Sequence, residues 1–410
     1  MYYKLHEHCK IVTGASRSAI YNLKDGKVYS INKSALNLIN TIQNNDVALM
    51  SEENNPTKIF CDELTKKNLG SLYFTPTPTP TPNQTNTLSP PKPILEFAWL
   101  EVTSRCNNRC LHCYTSSTNE PTQDETIPLS RWLTIISELR EAGCSALQLI
   151  GGEPLLYPNW RDIVLKAQEE NFDLIELFTN ATCIDDEIIN FFLEHHLHIA
   201  TTIYASNATL HDTITQHNGS FEKTMCAIKK ILAKKIPLRI ASIIMKQNED
   251  EAENIMDLCK NLGVEVTPPD VIRPTGRGEN TALLPSHYQK PTIKPPFFTN
   301  ELEFYHAKYF HPCLAGKIAI TDIGDVLPCI FARNIHYGNI STTPIEKILY
   351  NEQLLTCWYT TKDTIKKCKD CEYRYACSDC RPLMQNNDKN KDWYAAPNNC
   401  NYNPYTGIWQ

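Results

Sequence analysis

At 410 residues, 41% hydrophobic and a net charge of −6, the chain has room for about two or three domains and a large core, and no electrostatic footprint for nucleic acid. No apolar run approaches the length of a membrane span, and Met1–Cys9 has no basic region followed by a hydrophobic stretch, so neither a membrane partner nor a secretory signal is expected. Seventeen cysteines in a chain without an export signal point to a reduced, cytoplasmic protein whose thiols bind metal and do not pair as disulfides.

The first strand-like runs are Lys10–Val12, Ser18–Leu23 and Lys27–Ile31, the last two joined by the hairpin signal Lys24-Asp25-Gly26. A helix follows over Lys33–Ile42, with Asn32 placed to cap it and Leu36 and Ile39 on its apolar stripe. Residues 56–68 read as a second helix with Gly70 just past its end, and Ser71–Phe74 as a closing strand. Strands, then helices, then a strand make a small winged-helix layout over residues 1–74. From Thr75 to Pro82 the dipeptide Thr-Pro repeats. Proline has no amide hydrogen and drives its predecessor to extended geometry, so residues 75–93 are expected to be a semi-rigid polyproline-II spacer or a passive tether.

After the strand-like run Leu95–Val102 comes Cys106-Asn107-Asn108-Arg109-Cys110-Leu111-His112-Cys113-Tyr114. Three thiols this close on one loop can hold three irons of a cubane cluster and leave the fourth open for reaction. A zinc knuckle or unrelated buried thiols are the alternatives. Further strands are expected at 145–150, 174–178, 198–204, 238–244 and 264–266, alternating with helices, as in β/α units around a parallel sheet. At the end of the second strand stands Gly151-Gly152-Glu153-Pro154, where paired glycines let backbone approach a ligand and a carboxylate can accept from an ammonium group. Cys144, Cys183, Cys226 and Cys259 lack any motif spacing and read as buried structural thiols.

The cysteine spacing, the aromatic Tyr114 and the Gly-Gly-Glu-Pro element together resemble the radical S-adenosylmethionine (radical SAM) enzymes. The resemblance implies an α/β fold, a partial (β/α)6 TIM-like barrel over residues 94–300 with chemistry at the C-terminal strand ends. It implies a [4Fe-4S] cluster on Cys106, Cys110 and Cys113 whose open iron binds SAM, and reductive cleavage to a deoxyadenosyl radical. By the same resemblance, His112 and Tyr114 lie near cluster and adenine, Gly151, Gly152, Glu153 and Pro154 form the SAM-amino motif, and Asn180, Ser206 and Arg239 contact ribose and carboxylate. Arg239 fits least well, because it opens a strand and does not end one. His211-Asp212, Gly219-Ser220-Phe221-Glu222 and Arg273-Pro274-Thr275-Gly276-Arg277-Gly278 resemble stretches of the peptide-modifying branch; as plain chemistry, Ser220 is a helix cap.

Residues 301–410 carry Cys313, Cys329, Cys368, Cys371, Cys377, Cys380 and Cys400. Their order resembles the SPASM extension, with two residues in the last close pair where the family often has three; the paired Cys-x-x-Cys motifs also suit zinc. The resemblance implies two auxiliary iron–sulfur clusters. Cys368, Cys371, Cys377 and Cys400 would hold the outer one. Cys313, Cys329 and Cys380 would hold an inner one short of a ligand, with Cys357, His311 or a substrate thiolate to complete it. Residues 1–74, with Gly14-Ala15-Ser16-Arg17-Ser18, resemble the RiPP recognition element that captures a leader peptide on a sheet edge. The whole resembles a radical SAM/SPASM peptide maturase, in places the grasp-with-spasm type. It implies a precursor peptide as partner, a reductant such as flavodoxin or ferredoxin, and a thioether or carbon–carbon crosslink as product. The alternatives are a formylglycine-forming enzyme of the anaerobic sulfatase-maturating type and a zinc-bound winged-helix regulator.

Overall fold

The computed structural model describes residues 2–45, 55–73, 93–120, 126–289 and 293–410. The Thr-Pro repeat lies outside the described residues. The chain divides into two compact units: one holds residues 1–92, 292–313 and 359–410, the other residues 93–291 and 314–358.

In the first unit, β1 (Tyr2–Leu5), β2 (Cys9–Thr13), β3 (Arg17–Asn22) and β4 (Val28–Asn32) lead into α1 (Lys33–Asn45), α2 (Pro56–Lys66) and β5 (Gly70–Tyr73). The three-stranded antiparallel sheet β2-β3-β4 turns at Asp25-Gly26, as the hairpin signal required. The Asn32 carboxamide accepts from Ala35 N at 2.8 Å and caps α1. Gly70 does not terminate α2. Asn68 takes the left-handed conformation there, and Gly70 opens β5, antiparallel to β1, a strand the sequence reading lacked. One face of the sheet packs on α1 and α2 through Ile20, Ile31, Ile39 and Leu64. The other, with Val12, Ala19, Tyr21 and Leu23, packs on Phe304 and Ala307 of the helix Glu301–Tyr309 and on Tyr375.

The second unit is built on a sheet whose parallel strands are β6 (Phe97–Glu101), β7 (Ala146–Ile150), β8 (Leu174–Phe178), β9 (His198–Thr202) and β10 (Leu238–Ala241). Between them run α3 (Leu129–Glu141), α4 (Trp160–Glu169), α5 (Asp186–Glu194), α6 (Ala208–Thr215) and α7 (Ser220–Ala233). Alternate strand residues Ala98, Leu100, Leu147, Leu149, Leu177 and Ile199 are buried, while Trp99, Gln148, Glu176 and Arg239 occupy the other face. The sequence reading departs from the structure after β10. The run 238–244 breaks at Ser242, and β11 (Ile243–Ile244), followed by α8 (Ala252–Asn261), pairs with β12 (Asp270–Val271) in a separate two-stranded sheet. Val264–Val266 is not a strand; Pro268 and Pro269 interrupt the segment and pairing starts only beyond them. On the far side of β6 the sheet gains β13 (Lys317–Ile320), parallel to it, and β14 (Val326–Leu327), antiparallel. The result is a seven-stranded mixed sheet in the order β10-β9-β8-β7-β6-β13-β14.

Candidate radical SAM centre and auxiliary cluster pocket

The cysteine loop leaves β6 at its C-terminal end and is tied down along its length. Gly152 N donates to Thr103 O at 2.7 Å and Glu153 N to Arg105 O at 2.8 Å. A Cβ at Gly151 or Gly152 would run into the backbone of Thr103 or Arg105, so the paired glycines first serve the close approach of this loop. Further along, Cys106 N donates to Thr118 O, and Arg109 N and Leu111 N donate to Thr215 O and Ile214 O at the end of α6. Asn108 N donates to Cys106 Sγ at 3.4 Å.

Arg277 completes the clamp. Its Nε donates to Cys110 O at 2.8 Å and its Nη1 to Ser117 O at 2.9 Å, while its backbone N donates to Cys113 O at 2.9 Å. Gly276, at φ +58°, lies so near Cys113 O and Tyr114 O that no side chain fits. The Arg-Pro-Thr-Gly-Arg-Gly stretch, read from sequence as a branch marker, is thus part of the site. Its signal was an arginine flanked by two glycines; its partner was not legible because more than 150 residues separate them.

Glu153 is fully buried. Its carboxylate accepts from Thr179 Oγ1 at 2.6 Å, Asn180 N at 2.7 Å and Leu155 N at 3.1 Å. Burial pushes its pKa up to about 7 against the pull of those donors. Asn180 follows β8 and reaches the loop, its Nδ2 donating to Asn107 Oδ1 at 2.8 Å with Cys106 Sγ at 3.8 Å. Ser206 donates through N and Oγ to Glu251 Oε2, and Arg239 forks onto Glu176 with Nη2 at 2.8 Å, its guanidinium 5.4 Å from the Phe178 ring. Neither is joined by a hydrogen bond to the cysteine loop. Tyr114 packs edge-on to Phe331 and His112 to Tyr204. Ser220, expected as a helix cap, is the first residue of α7 and fully buried; the cap is the Asp212 carboxylate, which accepts from Gly219 N, Ser220 Oγ and Phe221 N. Of the four thiols read as buried structure, Cys226 is exposed, and Cys183 accepts from Asn107 Nδ2 beside the loop.

Burial, then Glu153, pushes Cys106 up to about 12, and burial with Cys113 and Cys106 as neighbours raises Cys110 further. Thiols so buried as Cys106 and Cys110 stay protonated unless a bound cation draws the proton off. Two buried nitrogens at the loop, His112 Nδ1 and Arg277 Nη2, have no hydrogen-bond partner among the described residues. Burial, then Arg277, depresses His112 to about 4, so its ring is neutral. The donor set and these two buried, unpartnered nitrogens fit a ligated cluster with a polar group beside it. Among the described residues no three His, Cys, Asp or Glu gather as tightly as a single metal ion needs; thiolates on a cube each take a different corner and stand further apart.

In the first unit a pocket is lined by Cys368, Cys371, Cys377 and Cys400, with Phe297, Tyr373 and Trp409 as its apolar wall. Lys362, Lys367 and Arg374 also line it, and among the described residues no carboxylate does. Four thiols and cations in an apolar cradle fit an anionic iron–sulfur cluster. Cys313 and Cys380 belong to this unit and Cys329 to the other. The Nδ1 of His311 accepts from Cys313 N at 3.1 Å, whereas Cys357 is buried beside Tyr337.

Residues 100–259 match the radical SAM superfamily, and residues 313–372 match the iron–sulfur cluster-binding SPASM domain. The chain is a radical SAM enzyme with a SPASM domain. Radical SAM domains bind a [4Fe-4S] cluster and SAM, and SPASM domains bind auxiliary iron–sulfur clusters. It is 26% identical over 319 residues to an AdoMet-dependent heme synthase of Methanosarcina barkeri, covering 69% of this chain and 90% of that one. It is 25% identical over 282 residues to the antilisterial bacteriocin subtilosin biosynthesis protein AlbA of Bacillus subtilis, covering 65% of this chain and 62% of the relative. The fold is similar to that of Streptococcus suis SuiB bound to precursor peptide SuiA, with a TM-score of 0.59 at 12% identity, covering 97% of this chain and 99% of that one. Among the described residues no helix is long and apolar enough to cross a membrane.

Proposed function

We propose that this chain is a peptide maturase that takes a ribosomally made precursor and installs a thioether or carbon–carbon crosslink. The observation that carries the reading is the joint presence, in one chain, of the clamped three-cysteine loop, the four-thiol pocket and a strand-rich N-terminal module. A relative with a bacteriocin biosynthesis role and a similarly folded protein bound to its precursor peptide support it. On this reading residues 1–74 are a winged-helix module that adds the leader as a strand to a sheet edge, residues 75–93 a spacer, residues 94–300 the radical SAM core and residues 301–410 the carrier of two auxiliary clusters.

When bound, the cluster and SAM supply the radical that removes a hydrogen from a peptide carbon. Cys106, Cys110 and Cys113 are the ligands, and Arg277, Asn107 and Asn108 fix their loop. Gly151, Gly152, Glu153 and Pro154 together with Asn180 border the SAM site. Ser206 and Arg239, bonded to Glu251 and Glu176, act as positioning residues. A flavodoxin or ferredoxin supplies the electron.

The test is co-expression with each short open reading frame found near its gene, followed by mass spectrometry of the peptides. The expected outcome is loss of two hydrogens per crosslink, abolished by the Cys106→Ala/Cys110→Ala/Cys113→Ala variant. An unchanged peptide from cluster-replete enzyme that still cleaves SAM would overturn the reading. Deletion of residues 1–74 is a poor test of leader binding, because Val12 and Tyr21 share a core with Phe304 and Tyr375.

A further inference from the structure

We propose that Lys362 and Arg381, held together by Asp379, are a built-in counter-charge for the cluster of the four-thiol pocket and set the potential at which it takes up an electron. The proposal rests on the reading of Cys368, Cys371, Cys377 and Cys400 as cluster ligands.

Lys362 and Arg381 are 3% and 0% exposed, and the Asp379 side chain is 3% exposed. Lys362 Nζ stands 2.5 Å from Asp379 Oδ1, and Arg381 pairs with Asp379 Oδ2. Arg381 cannot swing away, because its Nη1 also donates to Trp393 O and Ala395 O at 2.9 and 2.7 Å. His311 Nε2 lies at 4.0 Å from the same carboxylate. Two basic side chains thus share one carboxylate in a buried interior, an arrangement in which both can stay charged only if more negative charge is close.

The pocket is where that charge belongs. Lys362 lines it together with the four thiols. Asp379 sits between Cys377 and Cys380 in the chain, so the same turn that delivers a ligand delivers the triad. Glu372, next in the chain to Cys371, is buried but does not line the pocket, and it accepts from Tyr402 OH at 2.6 Å and Ser30 Oγ at 3.1 Å. A cube on four thiolates is an anion, and one-electron reduction adds a further negative charge with no bond made or broken. Fixed positive charge nearby favours the reduced form, and in an apolar wall it is weakly screened.

The test is an anaerobic redox titration of the full-length reconstituted enzyme, followed by electron paramagnetic resonance, with iron and sulfide content measured on each sample. The pocket's own signal is the one lost in Cys371→Ala/Cys400→Ala. At the poise where that signal is half reduced in wild type, the reduced-to-oxidised ratio in Lys362→Met is expected to fall about tenfold, equal to a shift of about 59 mV to more negative potential for one electron. Lys362→Arg, which keeps the charge, should titrate like wild type. Loss of the pocket's iron in Lys362→Met but not in Lys362→Arg would support the same charge requirement. Full iron content with an unchanged midpoint in Lys362→Met overturns the proposal, as does equal iron loss in both variants. If the double cysteine variant keeps every cluster signal, it is the ligand reading beneath the proposal that fails.

Discussion

Arg277 acts on the cysteine loop from more than 150 residues away. It makes two charge-assisted bonds to loop carbonyls, worth on the order of 3 kcal/mol together. Arg277→Met is expected to lose most of the roughly four irons of the SAM-binding cluster while the auxiliary clusters stay loaded, a pattern Mössbauer spectroscopy with iron analysis resolves. Loss spread evenly over all clusters would instead indicate general misfolding. His211 offers a second test at this scale. It is 2% exposed, its Nδ1 accepts from Tyr204 N at 3.3 Å, and burial, opposed by the Asp212 charge, lowers its pKa from 6.5 to about 4. The unfolded chain therefore takes up a proton that the folded chain refuses. This contribution is intact above about pH 6.5 and is lost as the pH falls toward 4. Between about pH 7 and pH 5 it amounts to about 2 kcal/mol, and thermal melts of His211→Phe should show a shallower acid decline than wild type. Identical slopes would rule the imidazole out as the source.

At the scale of elements, the parallel strands were legible because each is a short apolar run ending in a polar or glycine turn, as at Leu147–Ile150 before Gly151-Gly152. What failed was continuity. Leu238–Ile244 reads as one strand, yet the chain changes sheets at Ser242, and no periodicity in seven residues distinguishes a strand from a strand with a break. β13 and β14 were equally hidden, since pairing of Lys317–Ile320 with β6 is a long-range choice. The capping of α7 shows the same limit: Ser220 stands where a cap is expected, but the acceptor is Asp212 on the preceding helix. Removing three accepted bonds from a helix start costs about 2 kcal/mol. Asp212→Ala should lower the unfolding midpoint accordingly, with Asp212→Asn in between; an Asp212→Ala protein as stable as wild type would mean that Gly219 and Ser220 cap α7 unaided.

For the whole molecule, the spacing of the cysteines marked out the loop of Cys106, Cys110 and Cys113, and a family resemblance grouped Cys368, Cys371, Cys377 and Cys400, which line one pocket; the company they keep was not legible. Nothing in the order of the motifs says that the first strands share a core with residues 301–309 and 375. Tyr21 is the centre of that core, fully buried, 5.1 Å from the Phe304 ring and donating to Glu372 O at 2.8 Å. Tyr21→Ala is expected to cost about 4 kcal/mol and to expose both ends of the chain to protease together. Faster cleavage confined to the N-terminal strands, with residues 359–410 still resistant, would show that the two segments fold independently.

The shared core also sets an order on biosynthesis. The sheet β2-β3-β4 leaves the ribosome long before Phe304, Ala307 and Tyr375 have been made, so the face carrying Val12, Ala19 and Tyr21 lacks its partners while β6 to β10 of the second unit are synthesised. This core can be completed only once Tyr375 has been made, and a premature stop before that residue leaves the apolar face of Val12, Ala19 and Tyr21 without part of its cover.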